Sequence, residues 1–373
     1  MSLDEQTIAP SARTTQPAFP GARRAQNYIE TADIPPLVTA PADDIPARDE
    51  AAPVEAVVPT GLVGGDLGRL STETNAGPAR TGWRGRLGRI GMALPPSAVE
   101  RAAVQLQVQR AEDERIIRQT TWTRAVSILV ANPKGGVGKT PTALILGGIL
   151  AATRGGSVCV MEVSDDPGAL TFRSEGNPRL GIGELARDTD TVRSAGQLAG
   201  YTAPQTSFAA VLGTVGIRPQ LTADDVTALS ALVDDYYAIR IMDSGNQPSS
   251  SAFHGAVGSA DLLVIPVLNA GDAALEAIAL LAKLRTMGGK AARIADRAII
   301  VRSSDGRPES PRVVDRVDQI LADAGLTDIH TIPYDPHIAE RGEITLDKLH
   351  PATRDAFTAA AATAIRTLAG TVR

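Results

Sequence analysis

The chain has 373 residues, 43% of them apolar and 21% charged, with a formal net charge of −5. It is long enough to bury a large core and carry appendages, which excludes a short peptide and a chain disordered throughout. The single cysteine, Cys159, sits in the apolar run 158–163, so an intrachain disulfide framework is excluded and a cysteine-based metal cage is disfavoured.

Residues 1–80 hold ten of the 25 prolines, one Phe (Phe19) and one Tyr (Tyr28). Such a segment buries too little apolar surface to offset the entropy of ordering, so a disordered leader is expected, either a docking arm or a solubilising tail. Nine acids and four arginines in residues 1–60 give a net of −5, equal to that of the whole chain, which leaves the remainder balanced. Binding of DNA through a strongly basic body is therefore not favoured, although Arg293 and Arg297 form a local basic cluster. The start carries Asp4 and Glu5 where a secretory leader has basic residues, and no run of about 18 apolar residues occurs. A cytoplasmic protein without a transmembrane segment is expected.

Residues 81–122 form a second segment. Trp83 stands among Arg80, Arg84, Arg86 and Arg89, and either packs on its own domain or grips an acidic or phosphate-rich surface. Ser97 follows two prolines and precedes Glu100 by three residues, a capping-box arrangement that predicts a helix over 97–118. From residue 123 to 373, short β-rich runs at 126–130, 158–163, 238–242, 262–267, 298–301 and 330–332 alternate with helical segments at 141–154, 222–235, 273–287, 311–324 and 351–369. Largely apolar strands without polar alternation, separated by helices, predict an α/β fold: a doubly wound, mostly parallel sheet with helices on both faces.

The most informative stretch runs from the strand at 126–130 into Lys134, Gly135, Gly136, Val137, Gly138, Lys139, Thr140 and then at once into an apolar helix. Glycines let consecutive amides turn toward an anion, the helix start adds its dipole, a lysine neutralises phosphate charge and a hydroxyl completes a magnesium shell. Pro141 is tolerated in the first helical turn, at the loss of one amide donor.

This loop, with its extra Lys134, resembles the deviant Walker A motif of the ParA/MinD family of P-loop ATPases, and the resemblance spans residues 123–373. Within that family the leader, the Trp83 segment and the Pro-x-Ser-x-x-Glu helix entry most resemble MinD-like ATPases associated with actinobacterial type VII secretion. The resemblance implies a slow, magnesium-dependent ATPase whose closed form is a homodimer, with a protein partner engaged through residues 1–118. It implies Lys139 on the phosphates of its own ATP, Thr140 and Asp243 on Mg2+, and Lys134 reaching the partner subunit's nucleotide. The Ile332 to Pro336 segment, with Pro333 and Asp335, resembles the family's late base-contacting loop; an ordinary proline-rich strand exit is the alternative.

Two places depart from the family pattern. After the strand at 158–163, Glu162 and Ser164 stand where relatives carry an aspartate and, after one spacer, a second Asp or Asn, unless the chain slips so that Asp165 or Asp166 serves. A serine cannot act as a carboxylate at neutral pH, so a nucleotide-binding scaffold without turnover is the alternative reading. Where relatives place an asparagine against the purine, this chain has Arg302, Ser303 and Ser304. Preference for adenine is thus inherited from the resemblance.

Overall fold

The computed structural model describes residues 97–372. The leader expected over 1–80 and the Trp83 element lie outside the described residues. Eight strands form one sheet: β1 (Val126–Val130), β2 (Val158–Glu162), β3 (Ala203–Pro204), β4 (Ala210–Leu212), β5 (Ile239–Asp243), β6 (Leu262–Leu268), β7 (Ile299–Ser303) and β8 (Ile329–Ile332). Their spatial order is β3-β4-β2-β5-β1-β6-β7-β8, and every neighbouring pair is parallel except β3 with β4. The doubly wound parallel sheet is as expected. The antiparallel edge was not anticipated, because strands of two and three residues are too short to show a period.

The helices are α1 (Ala98–Gln119), α2 (Lys139–Arg154), α3 (Leu170–Arg173), α4 (Ile182–Asp188), α5 (Ala195–Ala199), α6 (Ala223–Asp234), α7 (Ser251–Ser259), α8 (Gly271–Met287), α9 (Gly289–Ala295), α10 (Pro311–Asp323), α11 (Pro336–Ala339) and α12 (Pro351–Thr371). Ser97 caps α1 by accepting the Glu100 amide at 3.1 Å. The second half of α1 docks through buried Ile117 and an ion pair between Asp113 and Arg366 of α12 at 2.5 Å.

Strand alternation divides the core between the two faces of the sheet. Ile128, Val130, Val160 and Ile241 pack under α2 and α12, whereas Leu129, Met161, Met242 and Leu263 pack with residues of α6, α7 and α8. Helix α12 buries Phe357, Ala361, Ile365 and Leu368 on this core. No helix among the described residues is long and apolar enough to cross a membrane.

Helix α2 lies close enough to β2 that a Cβ on Gly147 would fall 2.3 Å from Val160 Cγ2. Gly147→Ala gains helix propensity of about 1 kcal/mol but overpacks against a stiff, buried β-branched side chain. The substitution is expected to lower stability by about 2 kcal/mol net and the thermal midpoint by roughly 4–8 °C. A thermal melt at unchanged or raised temperature would contradict this close packing.

Register places the functional residues on one rim. Val130 of β1 and Glu162 of β2 both pair with Asp243 of β5, so three strand ends lie side by side. Ser303 of β7 pairs with Ile332 of β8 farther along the same carboxyl edge, where loops of open α/β sheets form ligand crevices.

Candidate functional site

A cleft of about 850 Å³ opens at this rim, lined by Gly136 to Thr142, by Asp243 to Asn246 and by the loops after β2, β7 and β8. Its floor is the glycine loop between β1 and α2. Buried Asn132 anchors the loop: its Nδ2 donates to the Pro266 carbonyl at 2.8 Å and its Oδ1 accepts the Lys134 amide at 2.9 Å. Gly136 and Gly138 adopt φ of 77° and 92°, a region that side chains strain to enter. Gly138 is also the N-cap of α2 and offers no side-chain acceptor, so the first amides of that helix remain for a ligand. Pro141 is the third residue of α2, where no intrahelical bond is lost.

The polar side chains of the loop converge. Lys139 Nζ is buried and donates to the Lys134 carbonyl at 3.1 Å and to Asn246 Oδ1 at 2.5 Å. Burial pushes its ammonium down to about 8. Thr140 Oγ1 donates to Asp243 Oδ2 at 2.7 Å, while buried Asp243 Oδ1 has no hydrogen-bond partner. Burial pushes the Asp243 carboxyl up to about 7; the Thr140 bond and Lys139 oppose this shift and Glu162 adds to it. Thr140 and Asp243, the two residues read as magnesium ligands, are thus in direct contact within one chain. Lys134 instead swings out, its Nζ 2.7 Å from Asp272 Oδ2 in the first turn of α8. That hydrogen bond holds the Asp272 carboxyl below its usual range.

At the exit of β2, Glu162 is wholly enclosed. Its Oε1 accepts from Thr214 Oγ1 at 2.5 Å, from Arg218 Nη2 at 2.8 Å and from the Gly168 amide at 3.0 Å. Ser164 Oγ donates to the Asp166 carbonyl at 2.6 Å. Asp165 is half-buried beside Gly245: a Cβ on that glycine would lie 3.2 Å from Asp165 Oδ1.

The other end of the cleft is lined by Ser303, Ser304, Pro333, Ile338, Arg341 and Phe357. Asp335 also lines it, but both its carboxylate oxygens accept backbone amides, Oδ1 from His337 at 3.0 Å and Oδ2 from His350 at 2.9 Å. Its carboxylate shapes the loop, leaving the hydroxyl of Ser303 and the ring of Pro333 as the expected residues that present side chains to the cleft here. Arg302 turns away to pair with Asp318 and Asn269. At the opposite edge of the sheet a smaller cavity of about 190 Å³ is lined by Arg124, Asp261, Lys290, Arg293 and Arg297. Asp261 accepts from Arg124 through both carboxylate oxygens, at 2.9 Å each, and from the Ser127 amide at 3.0 Å.

Sequence reading missed Asn132, Asn246 and Arg218. Asn246 stands three residues after Asp243 in an Asp-Ser-Gly-Asn run, a visible cue; Arg218 has none, being 56 residues from the acid it pairs with.

A glycine loop between a buried parallel strand and a helix, with a lysine, a hydroxyl and a strand-end aspartate converging on it, defines a P-loop nucleotide-binding fold. Residues 128–344 match the family model described as the CobQ/CobB/MinD/ParA nucleotide binding domain, and the chain belongs to that family. Among solved structures, it is similar to a ParA family ATPase from Chlorobium tepidum TLS, with a TM-score of 0.50 at 15% identity over 66% of this chain and 96% of that one. The MinC:MinD cell division protein complex of Aquifex aeolicus gives 0.48 at 21% identity, over 66% and 96% of the respective chains. The ATP complex of a single-substitution variant of Cyanothece McdA gives 0.45 at 17%, over 63% and 94%. No curated protein matches the chain.

Proposed function

We propose that the protein is a nucleotide-operated switch: it binds ATP with magnesium at Lys134 to Pro141, closes as a homodimer around the nucleotide, hydrolyses it slowly, and in doing so controls a partner assembly. One observation carries the reading. Buried Lys139, Thr140 and Asp243 share a single hydrogen-bonded corner of the cleft, with Asp243 Oδ1 left without a partner. An orphaned buried carboxylate oxygen beside a hydroxyl is an all-oxygen donor pair, suited to a hard divalent cation that takes its other ligands from phosphate and water. Bound there with the triphosphate, magnesium would neutralise charge on the phosphate oxygens. Phosphate release measured beside nucleotide titrations tests the reading; release abolished by Lys139→Ala supports it.

Lys134 supports the dimeric part. Its ammonium is partly exposed, and its partner Asp272 is more than half exposed, so the ion pair is weak and exchangeable. Neutralising Asp272 removes a competitor for that ammonium. Asp272→Asn is expected to raise the fraction of dimer formed with a non-hydrolysable ATP analogue, by no more than about fivefold in the association constant. Light scattering checks this, and a dimer fraction lowered by the substitution would count against release of Lys134 on closure.

The partner assembly is read as a type VII secretion component engaged through residues 1–118, on the strength of the leader composition and the capped helix entry; pull-down with and without residues 1–96 tests it. A second reading, a scaffold that binds nucleotide without turnover, is favoured by Glu162, whose carboxylate is committed to Arg218 and Thr214. Strong thermal stabilisation by nucleotide, about 2.7 kcal/mol at a hundred times the dissociation constant, together with no phosphate release, selects the scaffold.

A further inference from the structure

We propose that Arg218 is a positioning residue for phosphoryl transfer, the group around which the loop after β2 is wound so that Asp165 is presented beside Gly245. The inference rests on the ATPase reading above and deepens it, because the sequence leaves open which of Ser164, Asp165 and Asp166 serves.

The guanidinium of Arg218 is buried, and besides the Pro219 carbonyl, 3.0 Å from Nη1, its two Nη groups donate into the end of β2 and the loop that follows it. Nη2 donates to the carbonyls of Ser164 and Asp166, each at 3.0 Å, and Nη1 to the carbonyl of Asp165 at 2.7 Å. Three consecutive carbonyls thus point inward at one cation. A loop curled in this way turns its carbonyls from water, and a planar, five-donor fork is the side chain able to satisfy them together. The charge itself is balanced by Glu162 Oε1 at 2.8 Å, and Nε donates to Thr214 Oγ1 at 2.8 Å, which in turn donates to Glu162. Glu162 is therefore the counterion of the device, which accounts for an enclosed acid at a strand end of the cleft.

The same winding sorts the two remaining acids. Asp166 is exposed, and its Oδ1 accepts from Gln220 Nε2 at 2.9 Å, so its carboxylate is drawn away along the loop that carries Arg218. Asp165 has its carbonyl fixed from two sides, by Arg218 and by the Leu221 amide at 3.2 Å, while its carboxylate lies against Gly245, two residues beyond Asp243. A Cβ at 245 would lie 3.2 Å from both Ser164 Cβ and Asp165 Oδ1, so glycine keeps this approach uncrowded. Ser164 and Gly245 line the cleft, so Asp165, whose Oδ1 comes up against Gly245, borders its phosphate-loop end.

Removing one member of a buried ion pair leaves the other uncompensated and risks the fold, so the test uses variants that avoid this. Arg218→Lys keeps the charge and loses the fork; Glu162→Gln with Arg218→Met removes both charges; Asp165→Asn and Asp166→Asn leave the guanidinium in place. Each is compared with the wild-type full chain by binding of a fluorescent ATP analogue with magnesium, by kcat for phosphate release and by hydrogen exchange at the amides of Ser164, Asp165, Asp166 and Gly168. Arg218→Lys and the double variant are expected to bind the analogue within about threefold of wild type, to lose at least tenfold in kcat and to exchange faster at these amides. Asp165→Asn is expected to lose kcat to the same extent without faster exchange, and Asp166→Asn to keep it within twofold. A kcat within twofold of wild type in Arg218→Lys, or a loss in Asp166→Asn with Asp165→Asn unaffected, would overturn the assignment. Wild-type protein that binds no analogue would sink the nucleotide reading itself; wild-type protein that binds but releases no phosphate would overturn the positioning role while leaving nucleotide binding standing.

Discussion

Lys139→Ala should weaken binding of ATP with magnesium by at least about a hundredfold while leaving the empty protein as stable as before, or slightly more so. The ammonium is buried between a backbone carbonyl and Asn246, and burial alone has pushed it down to about 8, so the protein carries a cost for holding this charge in the absence of an anion. A charge-assisted hydrogen bond to phosphate in such surroundings is worth about 1.5–3 kcal/mol, and two of them account for two or more factors of ten. Truncation removes both the attraction to the ligand and the cost in the empty site. Fluorescence titration and thermal melts of the nucleotide-free protein separate the two effects. A large fall in the melting temperature without nucleotide would show instead that Lys139 is mainly a structural strut for the loop.

The second large effect is in pH. In the empty site the Asp243 carboxyl lies at about 7 and the Lys139 ammonium at about 8, both displaced chiefly by burial. The ligand calls for the charged form of each. Below pH 7 the carboxyl is protonated and must release its proton to meet a divalent cation; above pH 8 the amine is neutral and must take one up to meet phosphate. Affinity is therefore expected to be highest between pH 7 and 8 and to fall by about tenfold per unit beyond either limit. Stability of the empty protein follows the opposite course. The raised carboxyl makes the folded state hold the extra proton between 3.8 and 7, so its contribution declines as pH rises through that window. The lowered amine makes the unfolded state hold the extra proton between 8 and 10.5, so its contribution recovers as pH rises there. The thermal shift caused by nucleotide should accordingly peak between pH 7 and 8, and Asp243→Asn should flatten the acid side of the profile only. A shift independent of pH from 6 to 9 would show that neither group changes charge on binding.

The glycine loop was legible because everything it needs is local: the spacing of Gly135, Gly136 and Gly138, a lysine and a hydroxyl, and apolar runs on both sides. Asp243 was legible for a similar reason, as an acid closing an apolar strand. The parallel sheet followed from strands lacking polar alternation. What escaped was set by contacts between distant segments. Arg218 reads as an ordinary arginine in a loop, and only the fold brings it under β2. The contact of Lys134 with Asp272 in the single chain depends on the first turn of α8 coming to rest beside the loop. Asp335 sits in the segment expected to meet the base, yet its carboxylate is consumed by two amides, one of them 15 residues away. Helix α7 was missed because two glycines in nine residues lower its propensity; Gly255 is required by close contact with Ala223, where a Cβ would lie 2.7 Å from the carbonyl oxygen.

The most direct measurement is calorimetric titration of the full chain with ATP in the presence of magnesium, at a pH between 7 and 8, beside the same titration of Lys139→Ala. One nucleotide bound per chain, with the heat lost in the variant, is the expected result. No heat with any purine triphosphate, or equal heat from the two proteins, would contradict the assignment of the glycine loop, Lys139 and Asp243 as a nucleotide site.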